Sequence, residues 1–372
     1  MNQLKAEVTG RIKKLQEKMR AEAIEAYIIT DAEDIWYFTN IEYSPEQRPF
    51  LFIVYANQAP LFIVPKLEES HVHVSYFDYQ IDPYFDVTSQ SGDNWYDKLS
   101  KHLKGISRVA IENNAPLYIA QPFSDDWRIE KWVSQLRMVK SNYEIEKITN
   151  VCRISSKVVR KTLEISKTGT TVMETYMIPS KYFQKELAPY QSIHNRTQNA
   201  VWPAEFSYMP HSIPEFNSTI GAGANVNIAI FKLDGYAAEC ERTFFTEKPT
   251  AEMIFYFETM MHARSIMLSM LKPGVQASAI ETAIMTYFEK EGVADKVLHR
   301  PGHGIGLNNH EEPTLSRGNE TVLVPNMVVS VEPGLYVEGL GGFRHSDTAL
   351  ITSDGYRLLT EAPLDLEALT FA

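Results

Sequence analysis

Two stretches of this chain repeat each other, and the repeat limits the architectures open to it. Lys167, Gly169, Tyr182 with Phe183, and Lys185 with Glu186 recur as Lys272, Gly274, Tyr287 with Phe288, and Lys290 with Glu291, all at one fixed offset. The apolar residues between them run at helical spacing in both copies. A single repeat pair describes two halves related by a pseudo-twofold, whereas a solenoid needs three or more units. A site formed between two such halves draws ligands from both.

The chain has 372 residues, enough for two domains. Its first part mixes helix and strand signals. Val8, Ile12, Leu15 and Met19 mark a helix, and Ala26-Tyr27-Ile28-Ile29-Thr30 reads as a strand. Phe50-Leu51-Phe52-Ile53-Val54-Tyr55 and Leu61-Phe62-Ile63-Val64 flank a turn and predict a hairpin. Arg108-Val109-Ala110-Ile111 is a further strand. Leu136-Arg137-Met138-Val139-Lys140-Ser141 reads as extended, and a long helix follows from Asn142 through Ile145, Ile148, Cys152, Val159 and Leu163. The expected domains are 1–137, of α/β type, and 138–372, of α+β type with the internal repeat.

The net charge of −11 argues against nucleic acid and anionic membranes as partners. Two cysteines exclude a disulfide scaffold and a multi-cysteine zinc site. The first residues lack an apolar signal segment, so the expected location is the cytoplasm.

The segment Gly235-Tyr236-Ala237-Ala238-Glu239-Cys240-Glu241-Arg242-Thr243-Phe244-Phe245 reads as a strand. Alternation puts Glu239 and Glu241 on one face and Cys240 on the other. Two carboxylates side by side call for a cation between them, whether a metal, a basic side chain or a charged substrate. The competing reading is a solvated edge strand with two surface acids. Glu332 closes the apolar run Val328-Val329-Ser330-Val331 just before Pro333-Gly334. His303 lies among Gly302, Gly304 and Gly306, which permit close backbone approach to a ligand, with His310 downstream. His211 sits in a stiff loop between Pro210 and Pro214. Arg48 follows the loop Tyr43-Ser44-Pro45-Glu46-Gln47 and carries a fork-shaped donor suited to a carboxylate.

These segments, in this order and spacing, resemble the prolidase, aminopeptidase P and creatinase family with the pita-bread fold, over nearly the whole chain. The resemblance implies a creatinase/prolidase-like N-terminal domain, a pita-bread catalytic domain and a homodimer. Peptidases of the family hold two metals with two aspartates, one histidine and two glutamates. His303 and Glu332 match two of these positions, and Glu239 stands in place of the second aspartate. The first aspartate falls at Ile228 or a neighbour, and the last glutamate falls at Ser346, so an intact dinuclear site is not expected. Glu241 before Arg242-Thr243, and the place of His211, resemble the metal-independent creatinase branch. Ser346 departs from that branch, as does Glu239, and His345 next door points to the opposite strand face.

The leading expectation is therefore a hydrolase without cofactor, cleaving a C–N bond in a small cationic substrate such as a guanidino or amidino compound. Glu241, Glu332 and Glu239 would hold the cation, His211 would serve as acid and base, and His303 and His310 would orient substrate. The resemblance adds Arg48 as a contact for the substrate carboxylate. One alternative is a metal-dependent Xaa-Pro peptidase with one manganese or zinc ion on Glu239, His303 and Glu332, completed by Asp347 or Glu241, with His211 and His310 assisting proton transfer. The other is a binding module without catalysis.

Overall fold

In the computed structural model the strand Ala26–Ile29 is buried along its whole length, and its apolar side chains explain why. A strand buried on both faces needs cover on both sides, which is the setting of an α/β layer. The structure describes residues 2–43, 47–74, 77–87, 90–121, 127–190, 192 and 195–371, so Ser44, Pro45 and Glu46 of the loop before Arg48 lie outside the described residues. The chain divides into two units, Met1–Arg137 and Met138–Ala372.

The first unit is built on a six-stranded sheet, β1 (Ala26–Ile29), β2 (Leu51–Tyr55), β3 (Leu61–Pro65), β4 (Gln80–Tyr84), β5 (Val109–Glu112) and β6 (Arg128–Glu130), in the order β4-β3-β2-β1-β5-β6. β2 and β3 form the expected hairpin, with Phe52 opposite Phe62. β1 pairs antiparallel with β2 and parallel with β5. On one face Ile28, Ile53, Ile63 and Ile111 pack with Leu99 of helix α3 (Trp95–Leu103). Helices α1 (Asn2–Ala21) and α2 (Ala32–Thr39) pack together, and Phe38 of α2 stacks on Phe52. Asp31 caps α2 by accepting from the backbone N–H of Glu33 and Asp34. A short helix α4 (Leu117–Ala120) precedes β6.

Residues 136–138 correct the expectation of an extended segment, because they close helix α5 (Trp132–Met138). The helix is anchored upstream of the residues read as extended. Trp132 and Val133 are buried, and the Trp132 ring stacks on Tyr27 at 5.4 Å.

The second unit begins with α6 (Asn142–Ile165), started by a capping box between Ser141 and Glu144. α6 packs on the antiparallel sheet β7 (Arg196–Trp202), β8 (Asn225–Leu233) and β9 (Tyr236–Phe244). After α6 come α7 (Val172–Tyr176), α8 (Ile178–Tyr182), α9 (Gln184–Leu187) and α10 (Ala204–Ser207). The second copy supplies α11 (Ala251–Met270) and α12 (Ala277–Lys290). It is followed by a five-stranded sheet of β10 (His303–Gly304), β11 (Glu311–Thr314), β12 (Val328–Val331), β15 (Asp347–Ile351) and β16 (Tyr356–Leu358), and by the pair β13 (Gly334–Val337) and β14 (Gly341–Arg344).

The repeat is visible in the hydrogen bonding of its turns. Gly169 has φ +88° and its N–H donates to Ile220, while Gly274 has φ +91° and its N–H donates to Leu323. Thr171 then bridges Thr219, and Gln276 bridges Val322. Both turns need the left-handed region, which is why a glycine stands in each copy. The copies diverge where Pro179 opens α8, so that the first runs as separate short helices and the second as one. Among the described residues no helix is long and apolar enough to cross a membrane.

Candidate metal centre

Every residue of β9 is buried, and Glu239 and Glu241 are each only 2% exposed, which removes the reading of a solvated edge strand. The two acids share a face, and β8 sets Ile230 opposite Glu239 and Ile228 opposite Glu241. Cys240 points to the other face, near Cys152 of α6.

Arg242 braces this strand from behind. Its Nη1 donates to the carbonyls of Glu241 (2.6 Å) and Ser346 (3.0 Å), and its Nε donates to that of Pro363 (2.7 Å). Its Nη2 donates to Asp347 Oδ1 at 2.9 Å and to the carbonyl of Ala362 at 3.3 Å. Asp347 Oδ2 accepts from Arg264 at 2.6 Å, and its Oδ1 also accepts from Thr360 at 2.7 Å. Asp347 was expected as a possible metal ligand, and the structure corrects this, since two arginines take its oxygens. Backbone bonds between Phe245 and both Leu369 and Phe371 fasten residues 360–371 to the end of β9.

The glycine-rich segment holds His303 from the front. A side chain at Gly304 would place its Cβ 2.2 Å from the Glu312 carbonyl oxygen, and one at Gly302 would come 2.5 Å from that of Ser330. These two glycines therefore admit neighbouring backbone, where close approach to a ligand was expected. The His303 Nδ1 donates to the Gly304 carbonyl at 3.0 Å, which fixes the tautomer and leaves Nε2 for the site. Nε2 lies 2.9 Å from Glu332 Oε1 and 3.9 Å from Glu239 Oε2. Glu332 accepts from Ser330 Oγ at 3.2 Å. Glu239 accepts from the Ser346 hydroxyl and from Asn309 Nδ2, the latter at 2.6 Å. The His310 ring stands edge-on to His303 with centroids 4.1 Å apart. Glu239, His303 and His310 each bring one ligand atom to a cluster spanning no more than 4.8 Å.

Burial and mutual charge set the protonation states. Burial raises Glu239, and the neighbouring Glu332 raises it further. Burial also acts on Glu332, but the His303 imidazole outweighs it and holds Glu332 below the usual carboxylate range. His303 is raised in turn by Glu332, against its own desolvation. His310 is open to solvent on one side, yet desolvation against the site wall and the charge of His303 push it down to about 4. Glu241 is pushed up to about 8 by burial, with Arg344 pulling the other way. Arg344 Nε pairs with Glu241, and Nη1 donates to the Tyr336 hydroxyl at 3.0 Å. That hydroxyl donates to His299 Nε2 at 2.6 Å, and His299 Nδ1 donates to the Arg300 carbonyl. Beside Arg344 and Ile228 lies a cleft walled by Trp202, Met209 and Tyr336, with room for about one water.

The structure thus brings together Glu239, Glu241, Glu332, His303 and His310. His211 is exposed, and near enough for its charge to depress His310. Arg48 is in the first unit, where its guanidinium is held by Asp86. His345 is fully buried against Phe257, and among the described residues neither ring nitrogen finds a hydrogen-bond partner. Sequence reasoning missed Asn309, Ser330, Tyr336 and Arg344 as partners of the site. The one available signal was their place within the same short segments as His310, Glu332 and Ser346.

Residues 146–353 match the model of metallopeptidase family M24, and residues 11–140 match the creatinase/prolidase N-terminal domain. The chain is 27% identical to the putative dipeptidase YkvY of Bacillus subtilis, over 96% of this chain and 99% of that one. It is 25% identical to the Xaa-Pro dipeptidase of Lactobacillus delbrueckii subsp. lactis, over 96% and 98%. Dipeptidase PepE from Mycobacterium ulcerans superposes with a TM-score of 0.87 at 22% identity, over 99% and 98%. The expectation of a site without cofactor is corrected by these findings, because the matched family is one of metallopeptidases and the residues present offer a set of metal donors. With its match spanning more than half of its length, the chain belongs to metallopeptidase family M24.

Proposed function

We propose that this protein is a metal-dependent peptidase acting on short peptides of the Xaa-Pro type. The observation that carries the reading is the convergence of Glu239, His303 and His310 on one point beside Glu332. Two carboxylates and two imidazoles suit a manganese or zinc ion. When bound there, the ion supplies Lewis-acid polarisation of a peptide carbonyl and of a water.

The chain's own residues do the rest. The Gly304 carbonyl keeps the His303 Nδ1 protonated and its Nε2 lone pair free for the ion. Ser346 and Asn309 hold the Glu239 carboxylate in place through its two oxygens. Glu332 stands beside His303 as the second carboxylate, and His211 at the open side takes a proton from the attacking water and returns it to the leaving nitrogen. The names of the relatives support the substrate class, since they include an Xaa-Pro dipeptidase and a putative dipeptidase.

The test is hydrolysis of Xaa-Pro dipeptides, and of matched dipeptides without proline, by protein stripped with a chelator and then reloaded with manganese or zinc. Turnover that follows the metal and favours proline is expected. Undiminished turnover after exhaustive chelation, or none on any dipeptide, overturns the reading.

A further inference from the structure

Resting on that reading, we propose that the site takes one divalent ion and that the guanidinium of Arg344, fixed by Glu241, is the permanent cation of the adjoining half. Arg344 is 7% exposed and Glu241 2%, so this ion pair lies inside the protein. It is held from behind as well, through the chain from Arg344 to Tyr336 to His299. A buried guanidinium with a buried carboxylate and a phenol as partners has little freedom to leave.

The neighbouring strand offers nothing to a second ion at this place. Ile228 lies directly across from Glu241, and Ile230 across from Glu239. Ser346 contributes a hydroxyl, which is already donated to Glu239.

Charge leads to the same count. Three carboxylates, Glu239, Glu241 and Glu332, stand against one guanidinium and leave a formal charge of −2. One divalent ion brings the site to 0. Two ions would leave +2 in a buried pocket. Arg344 thus supplies a positive charge that no chelator removes.

The experiment is calorimetric titration of the chelator-stripped full chain with manganese, together with the metal-to-protein ratio after gel filtration. A ratio of one is expected for the wild type and for Arg344→Lys, which keeps the charge. Glu241→Gln is expected to weaken manganese binding by less than about 100-fold, the range seen when only a residue outside the ligand set is changed. A wild-type ratio of two, or of zero, overturns the proposal whether or not the variants fold, as does a loss beyond 100-fold in Glu241→Gln. Dipeptide turnover read on the same samples separates the two readings. Two ions with turnover leaves the peptidase and removes the inference, and one ion without turnover does the reverse.

Discussion

Two of the groups of acids that the protein buries are alike in depth and in the direction of their shifts, and they differ in where they point. In the first unit Glu112 is 2% exposed and is pushed up to about 8 by burial and by Asp34, while Asp34 itself pairs with Arg137. In the second unit Glu241 is equally buried, reaches about 8 and pairs with Arg344. Glu112 Oε1 accepts from the Thr30 N–H, the Thr30 hydroxyl and the Asp31 N–H, each at 2.6 Å. Those donors belong to the turn that starts α2, so the carboxyl locks the end of β1 to β5. Around Glu239, His303 and His310, by contrast, lone pairs from separate segments face one point. A shifted carboxyl therefore does not mark a site unless unsaturated donors converge beside it.

Substitutions on the two sides should separate these roles. The largest effect is expected from His303→Ala. Loss of a partner outside the ligand set costs about 10- to 100-fold, so removing this imidazole should lower kcat/KM on a dipeptide by more than about 100-fold. Activity within tenfold of wild type would erase the contrast. Next comes Arg137→Met, which leaves Asp34 and Glu112 facing each other without the guanidinium. Breaking a buried pair costs about 3–5 kcal/mol, read by urea unfolding, with manganese affinity untouched. A loss below 1 kcal/mol would show that the first cluster is not structural.

The effect that vanishes in mild acid belongs to Glu112→Gln. The folded-state value is raised from 4.5 to about 8, so the stability tied to its proton is complete below about 4.5 and is lost as pH rises through about 8. Unfolding free energies of wild type and variant should converge near pH 5 and separate toward pH 8, the variant becoming relatively more stable. Parallel curves would mean that Glu112 titrates normally.

Local features were legible in the sequence, and long-range pairings were not. Gly169 and Gly274 announce their turns because positive φ favours glycine in both copies. The strand around Glu239 and the acid closing β12 follow from alternation and from the Pro333-Gly334 signal. Asp347 looked available because its partners, Arg242 and Arg264, stand 105 and 83 residues away. Arg344 stood beside the more conspicuous His345 and Ser346, and only the fold brings it to Glu241 and Tyr336. The helix ending at Met138 is held by Trp132 and Val133, outside the polar segment that suggested extension.

Residues 360–371 have a consequence for the order in which the protein assembles during synthesis. Domains emerge from the ribosome N-terminal part first. Glu239 and Glu241 are made long before Thr360, Ala362, Pro363, Leu369 and Phe371, which brace β9 and its arginine from behind. A nascent chain can thus form its first unit and its first repeat copy while the strand bearing the acids still lacks its support. The centre is completed only by residues 360–371, so products truncated before them carry the acids without the frame that aims them.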